Sequence, residues 1–172
     1  MAQEYKNIAI IGAGASGCLC TYFLLKQGYE VTLFDKASPL RTLLPTGGGR
    51  CNLAHAEFDP KELAKNYPRG EKFLYSVFSK YSTADTLETF EEMGINCYMQ
   101  ENGRIFPESN SAKEVREIIL KKIQKANSVK EEVFDLEQCE KGFKIITNKA
   151  QYLFSHVVML LVGIQDINLQ KI

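Results

Sequence analysis

The sequence predicts an α/β fold with a central parallel β-sheet. A short apolar run at 8–11 suits a strand that is buried on both faces. The glycine-rich segment 12–17 follows it directly and leads into a helical segment that ends near Gln27. A second apolar run, 31–34, ends at an acidic residue. Strand, helix and strand in this order form a β-α-β unit, and its right-handed crossover makes the two strands parallel.

Composition and charge are those of an ordinary globular protein. The chain has 172 residues, of which 45% are hydrophobic and 24% charged, and its formal net charge is zero. Because there is no basic excess, we predict no nucleic-acid partner and no electrostatic attachment to a membrane. The apolar stretch 8–25 is interrupted by three glycines, so we interpret it as strand, turn and helix rather than as a signal or membrane segment. We predict a cytoplasmic protein.

The cysteines and histidines do not suggest a metal site. The five cysteines are scattered, odd in number and without a C-x-x-C pair, which fits a reducing compartment rather than a disulfide framework. The two histidines, His55 and His156, are far apart in the sequence. We therefore predict no bound metal.

The middle of the chain predicts a long loop followed by helices and a hairpin. The segment 37–60 contains three prolines and three successive glycines, and loops of this length are usually functional. Helices are predicted at 71–80 and 83–93. A hairpin is predicted at 98–106, with the Asn-Gly pair at 102–103 as its turn.

The C-terminal half predicts one amphipathic helix and then strands. The helix covers 111–125, where Ser111 and Glu114 match a capping box. Its apolar positions recur at helical spacing; they are Val115, Ile118, Ile119 and Ile123. Short strands are predicted at about 129–136, 142–147 and 152–160. We expect residues 129–147 to form a small β-meander beside the parallel sheet.

Residues 12–17 form the pattern G-x-G-x-x-G between a strand and a helix, the context in which this pattern indicates dinucleotide binding. Gly12 permits the tight turn, Gly14 lets a pyrophosphate approach the backbone, and Gly17 lets helix and strand pack closely. The pyrophosphate then lies at the positive end of the helix. Asp35 follows the second strand, where its carboxylate can accept hydrogen bonds from ribose hydroxyls and would repel a 2′-phosphate. These residues leave both FAD and NAD open, since both cofactors contain ADP.

A second glycine-rich segment lies at 46–52, with the sequence T-G-G-G-R-C-N. Three successive glycines let the main chain lie against a flat or phosphorylated ligand, and their N–H groups can form an anion nest. Arg50 supplies a fixed charge, and Asn52 can both donate and accept hydrogen bonds. The alternative for this segment taken alone is a flexible surface loop.

With these motifs the chain resembles the BaiN/YhiN-like flavoproteins, a group of NAD(P)/FAD-dependent oxidoreductases. The resemblance rests on segments 10–17, 46–52 and 103–107, the last followed by Ser111-Ala112 and Val115. It covers about residues 5–159. It implies a Rossmann-like FAD-binding domain with FAD as cofactor and NAD(P)H as electron donor.

The resemblance also implies which residues contact the cofactor. At the pyrophosphate they are Gly12, Gly14, Ala15, Ser16 and Gly17. Along the pyrophosphate and flavin they are Gly47, Gly48, Gly49, Arg50, Cys51 and Asn52. Asp35 holds the ribose, Lys36 neighbours the adenosine, and a backbone group near Val133, or near Val129 in another register, meets the adenine edge. Cys51 has no nearby second cysteine in the sequence, so we expect it to pack or line the flavin rather than to act in redox catalysis. No residue is assigned as a catalytic acid or base.

The resemblance stops after Met159. Relatives continue into a small-residue turn, a substrate domain and a return to the cofactor site, whereas 160–165 replace that turn here. We therefore predict an incomplete, truncated FAD-binding domain over 1–159 and a divergent tail over 160–172, for which a frameshift in the gene is our hypothesis. The predicted function is the N-terminal FAD-binding part of a flavin-dependent oxidoreductase that passes electrons from a reduced nicotinamide to a small organic substrate. The alternatives are an inactive truncated remnant and a single-domain NAD-binding dehydrogenase.

Overall fold

The structure is a computed structural model that describes residues 7–160. It divides into two compact units, one formed by residues 7–43 with 119–160 and the other by residues 44–118. In chain order the elements are β1 (Asn7–Ile11), α1 (Ala15–Lys26), β2 (Glu30–Phe34), β3 (Ala54–His55), α2 (Pro60–Lys65), α3 (Glu71–Phe78), α4 (Thr83–Met93), β4 (Cys97–Met99), β5 (Arg104–Pro107), α5 (Ala112–Lys122), β6 (Asn127–Val129), β7 (Val133–Cys139), β8 (Gly142–Thr147), β9 (Gln151–Phe154) and β10 (His156–Met159). The predicted tail lies outside the described residues apart from Leu160, and the domain boundary at 159 stays a prediction.

The first unit contains a four-stranded parallel sheet in the order β10-β1-β2-β6. In the register, Ile8 of β1 lies opposite Val31 of β2 on one side and His156 of β10 on the other. Strand β1 is buried along 8–11, as an apolar run between two neighbouring strands requires. The predicted α/β fold with a central parallel sheet is confirmed.

A three-stranded antiparallel meander, β7-β8-β9, packs on this sheet. Phe34 of β2 meets two meander rings edge to face, with centroid distances of 5.1 Å to Tyr152 and 5.7 Å to Phe154. Full burial of one such aromatic side chain contributes about 1.5–3 kcal/mol, so this contact fixes the meander on the sheet. The meander extends further along the chain than the predicted 129–147, because β9 is its third strand.

Two predicted strands are each divided in the structure. The segment 152–160 forms β9 in the meander and β10 in the parallel sheet, with Ser155 between them. Ser155 donates from its hydroxyl to the carbonyl of Asn7 at 2.7 Å, and its N–H donates to the Asn7 side chain at 2.9 Å. These two bonds fix the point at which the chain passes from one sheet to the other. The segment 129–136 is similarly shared between β6 and β7.

The second unit contains a small antiparallel sheet, β3-β5-β4, with helices α2 to α4. The sequence predicts a loop over 37–60, but the structure places β3 within it, and α2 begins at its last residue. Helix α2 is capped by Asp59, whose carboxylate accepts the N–H groups of Lys61 and Glu62. Helix α4 covers the predicted 83–93, whereas α3 ends at Phe78, two residues early.

Helix α5 begins at Ala112, after the predicted cap residue. The Ser111 hydroxyl oxygen accepts the N–H of Glu114 at 3.2 Å. Val115, Ile119 and Ile123 are buried, as the apolar face predicts. Within residues 7–160, no helix combines the length and the apolar composition that crossing a bilayer requires.

Candidate dinucleotide-binding site

The glycine-rich turn connects β1 to α1 through a very close backbone approach. The N–H of Gly12 donates to the carbonyl of Phe34 at 2.8 Å, which joins the start of the turn to the end of β2. Gly17 lies in the first turns of α1, and a Cβ added there would lie 1.8 Å from the carbonyl oxygen of Gly12. No side chain fits at that distance, so glycine is required at position 17 by packing.

Gly14 precedes α1 as its N-cap and differs from Gly17. Its φ of −73° is ordinary for any residue, and an added Cβ would meet no atom of the described residues within 4 Å. In the described part of the chain no side chain caps this helix end, and its first turn, with Ala15 and Ser16 exposed, contains no acidic residue. The first N–H groups of a helix lack intrahelical partners and carry partial positive charge, so this end of α1 is open to an anion.

Asp35 joins the glycine-rich turn to the end of β2. One carboxylate oxygen accepts the N–H of Ala13 and the other accepts the N–H of Ala37, both at 2.7 Å. Each carboxylate oxygen has capacity for a further bond, so the group can also accept from ribose hydroxyls. The sequence indicates a ribose ligand at this position. It does not indicate that Asp35 also clamps the backbone by accepting the N–H groups of Ala13 and Ala37.

One cleft brings the turn and Asp35 together. It is lined by Gly12, Ala13, Gly14, Asp35, Ala37, Ser38, Arg41, Thr42 and Leu160. Ser38, Arg41 and Thr42 are not among the site residues predicted from the sequence. Leu40 explains their position, because it is buried and its N–H donates to the carbonyl of Ala13 at 2.8 Å. Arg41 could have been indicated by its place in the sequence: it is a cation a few residues after Asp35, and Asp35 lies next to the predicted phosphate site.

The predicted adenosine residues lie in the same unit. Lys36 Nζ is 2.9 Å from Glu132 Oε1. Val133 is the residue after Glu132; it begins β7 and is buried in the core. Val129 ends β6, and its carbonyl already accepts the N–H groups of Asp35 and Glu131 at 3.2 and 3.1 Å. Both lone pairs of the Val129 carbonyl are therefore in use, which disfavours this carbonyl as the adenine contact of the alternative register.

The loop 46–52 lies in the second unit and is held by its own contacts. Gly47, Gly48 and Gly49 all have left-handed backbone conformations, with φ of 57°, 68° and 84°. The carbonyl of Thr46 accepts the N–H groups of Gly49 and Cys51, both at 3.0 Å. These bonds hold the loop in one backbone conformation. A flexible surface loop, the alternative for this segment, would not need such bonds.

Arg50 and its neighbours complete this loop. The Nε of Arg50 donates to the carbonyl of Gly47 at 3.2 Å, and its guanidinium lies 4.1 Å over the ring of Phe106. Cys51 is buried, and burial raises the pKa of its thiol, while a side-chain hydrogen bond with Thr46 acts in the opposite direction. With its amide nitrogen turned toward them, Asn52 donates to the carbonyls of Ile105 and Ala54, both at 3.1 Å.

A parallel β-α-β unit with a glycine-rich turn at the helix N-terminus and an acid after the second strand defines a dinucleotide-binding protein of the Rossmann class. Residues 6–167 match the family described as "HI0933-like protein Rossmann domain", and the chain belongs to this family. The predicted resemblance to the BaiN/YhiN-like proteins is confirmed.

The relatives are longer than this chain. The chain is 31% identical over 149 residues to the ribosomal RNA dihydrouridine synthase of Haemophilus influenzae, covering 84% of this chain and 36% of that protein. It is 27% identical over 162 residues to the 3-dehydro-bile acid delta(4,6)-reductase of Clostridium scindens, covering 90% and 38%. The chain thus spans little more than a third of the length of these curated relatives.

A solved structure shows the same fold. The crystal structure of THI4 from Thermovibrio ammonificans superposes with a TM-score of 0.60 over 96% of this chain and 61% of that chain, at 16% identity. At this identity the likeness concerns the fold alone.

Proposed function

We propose that the chain is the FAD-binding part of a flavin-dependent oxidoreductase that passes electrons from a reduced nicotinamide to an organic acceptor. The observation that carries the proposal is Gly14. Neither the backbone conformation at this position nor any described neighbour requires a glycine. A bare Cα in open space at the N-terminus of α1 is the feature that a pyrophosphate needs in order to approach the backbone.

The pyrophosphate of FAD fits the charges around Gly14. The open N–H groups of the first turn of α1 would donate to the phosphate oxygens. Arg41 lines the same cleft and is exposed, so its guanidinium would add a mobile cation beside the phosphates. Together these groups would offset part of the negative charge of the pyrophosphate.

The adenosine half fits the end of β2. The carboxylate of Asp35 would accept from the ribose hydroxyls while it keeps its two backbone donors in place. Because the same carboxylate fixes the N–H of Ala13, ribose binding and the shape of the glycine-rich turn are linked. Lys36 and the backbone near Val133 would then border the adenosine.

The loop 47–52 of the second unit is also proposed to contact the cofactor, as the resemblance implies. Gly48 has no atom of residues 7–160 within 4 Å of an added Cβ, so its outer side is free for a flat ring. Arg50 would keep a fixed cation at the loop through its stack on Phe106. When bound, FAD supplies an electron-accepting ring system, and the protein's part is to bind it, orient it and set its electrostatic surroundings.

The relatives support an oxidoreductase but not a single substrate. One is named a reductase of a 3-dehydro-bile acid, and another is named for a ribosomal RNA. Since these acceptors differ in size and charge, we propose only an organic acceptor for this chain. The remaining length of the relatives is where we expect acceptor specificity to lie.

Calorimetric titration of the purified chain with FAD, ADP, FMN and NAD tests the proposal. FAD and ADP should bind, because both carry the adenosine and the pyrophosphate, whereas FMN should not bind, because it lacks them. Gly14→Ala should lower the affinity for FAD and ADP at least about tenfold, equivalent to about 1.4 kcal/mol. The unfolding midpoint of this variant should stay near that of the wild type, because the added methyl meets nothing in the free chain.

Gly70→Asn is the matched control. Gly70 is also a helix N-cap with open space around it, at α3, and asparagine tolerates its left-handed conformation. We expect this variant to bind FAD like the wild type. Equal binding of FMN and FAD, or an unchanged FAD affinity in Gly14→Ala, contradicts the proposal. Binding of NAD without FAD would favour the dehydrogenase instead.

A further inference from the structure

Lys36 is held by a carboxylate from a distant part of the chain. It follows Asp35 directly, and its Nζ lies 2.9 Å from Oε1 of Glu132, 96 residues later. The two side chains are 61% and 36% exposed. Exposed ion pairs of this kind contribute between about 0 and 1 kcal/mol to stability.

The backbone of Glu132 is fixed by the meander. Its N–H donates to the side-chain oxygen of Asn148 at 3.2 Å, and its carbonyl accepts the N–H of Asn148 at 3.1 Å. Two hydrogen bonds to one residue of the turn between β8 and β9 determine where the Glu132 side chain begins. The carboxylate that meets Lys36 is therefore positioned by the fold rather than by chance contact of two long side chains.

The neighbouring Glu131 has a different role. Its carboxylate accepts the hydroxyls of Thr147 and Tyr152 at 2.6 and 3.0 Å. The two adjacent glutamates thus face different partners, one satisfying hydroxyls of the meander and the other meeting the lysine at the end of β2. Of these two glutamates, Glu132 is the one that pairs with the residue next to Asp35 in the sequence.

Charge at this strand end decides which adenosine a dinucleotide site accepts. A carboxylate accepts from a free ribose 2′-hydroxyl, whereas a nearby cation accommodates a 2′-phosphate. Here Asp35 supplies the carboxylate and Lys36 the nearby cation, so the sequence contains both elements side by side. Glu132 offsets the charge of the cation and occupies the lysine with an ion pair.

We propose that Glu132 is a specificity-determining residue: by holding Lys36, it makes the site select adenosine with a free 2′-hydroxyl and reject adenosine with a 2′-phosphate. This proposal rests on the proposed function, because it requires the adenosine half of the cofactor at the end of β2. It assigns the selection to the pair Lys36–Glu132 in addition to the repulsion by Asp35.

The test compares two nucleotides that differ only in the 2′-phosphate, 5′-AMP and adenosine 2′,5′-bisphosphate, by calorimetric titration, with 5′-ADP as the reference ligand. The wild type should bind 5′-AMP more tightly than the bisphosphate. Glu132→Gln should raise the affinity for the bisphosphate about fivefold, the scale of an exposed charge pair, and change that for 5′-AMP less than about twofold. In the double variant with Lys36→Gln this gain should disappear, since the released cation is what binds the 2′-phosphate.

Glu137→Gln is the matched control, because it removes a carboxylate from the same meander, where Glu137 pairs with Lys144. It should leave the ratio of the two affinities unchanged. If 5′-ADP binds the wild type but Glu132→Gln does not change the ratio, the inference is overturned while the proposed function stands. If neither 5′-ADP nor FAD binds the wild type, the proposed function fails and the inference falls with it.

Discussion

The two glycine-rich segments of this chain use glycine for different physical reasons. In the turn 12–17, Gly17 lies in a helix with ordinary dihedral angles and is required because a Cβ would lie 1.8 Å from a backbone oxygen. In the loop 47–49, Gly48 has open space and is favoured because its φ of 68° strains a residue that carries a Cβ. Gly14 meets neither requirement. The comparison separates three causes, namely packing, backbone conformation and room for a ligand, and each predicts a different mutant phenotype.

The largest effect is expected for Gly17→Ala. The added methyl would overlap the carbonyl of Gly12, which is backbone and cannot rotate away as a flexible side chain could. We expect a loss of at least about 3 kcal/mol in the free energy of unfolding, at the upper end of overpacking effects. Urea unfolding of the purified variant measures it. A midpoint equal to that of the wild type would show that packing does not explain this glycine.

Gly48→Ala should cost less and for another reason. No steric contact opposes the methyl within the described chain, but the left-handed conformation at φ 68° costs a residue with a Cβ about 1–2 kcal/mol. Gly48→Asn is the control, since asparagine visits this conformation more readily. Urea unfolding should rank the wild type above Asn and Asn above Ala. An alanine variant as stable as the asparagine variant would remove backbone conformation as the cause.

Arg50→Lys tests how the loop keeps its conformation. Lysine retains the charge but loses the Nε bond to Gly47 and the planar stack on Phe106. We expect about 1 kcal/mol of lost local stability, the scale of one such contact. Hydrogen exchange at the N–H groups of Gly49 and Cys51 should become faster in this variant. Exchange at Gly12, in the glycine-rich turn, should not change, and equal acceleration at both places would contradict a local role.

The smallest effect is expected in the thiol labelling rates of two buried cysteines, one beside each glycine-rich segment. Cys18 follows the turn and Cys51 lies in the loop, and both are 0% exposed, whereas Cys139 is exposed. Because burial raises the pKa of the Cys51 thiol, little thiolate is available at neutral pH. Thiol labelling followed by mass spectrometry should modify Cys139 first. In Gly48→Ala, Cys51 should label faster while Cys18 stays protected, and the reverse order would contradict the assignment.

Local sequence patterns predict much of this molecule. The run 8–11, the pattern of glycines at 12–17 and the acid Asp35 together indicate the parallel β-α-β unit, because each signal lies within a few residues of the next. Helix α4 has its predicted ends for the same reason: Ser82 and Asp85 form a capping box at its start, and Gly94 ends it. The close approach at Gly17 also follows from the motif.

Features that depend on distant contacts could not be predicted in this way. Glu132 meets Lys36 across 96 residues, and the bond from the Ala13 N–H to the Asp35 carboxylate spans 22 residues. Ser155 divides one apolar segment into two strands because of its bonds to Asn7. The hydrophobic periodicity of the segment gives no sign of these bonds. Arg41 reaches the cleft because Leu40 bonds to the turn. Strand β3 has only two residues, too few for an alternating pattern.

The central claim is that the adenosine and pyrophosphate half of FAD binds at the glycine-rich turn. The most direct measurement is the visible absorption spectrum of the chain after incubation with excess FAD and desalting. A second desalting follows after addition of excess ADP or excess FMN, and chromatography then identifies the flavin that the protein still holds. We expect the protein to retain flavin bands after the first desalting, ADP to release the bound FAD, and FMN not to replace it. A colourless protein after the first step, or flavin that FMN displaces and ADP does not, would contradict it.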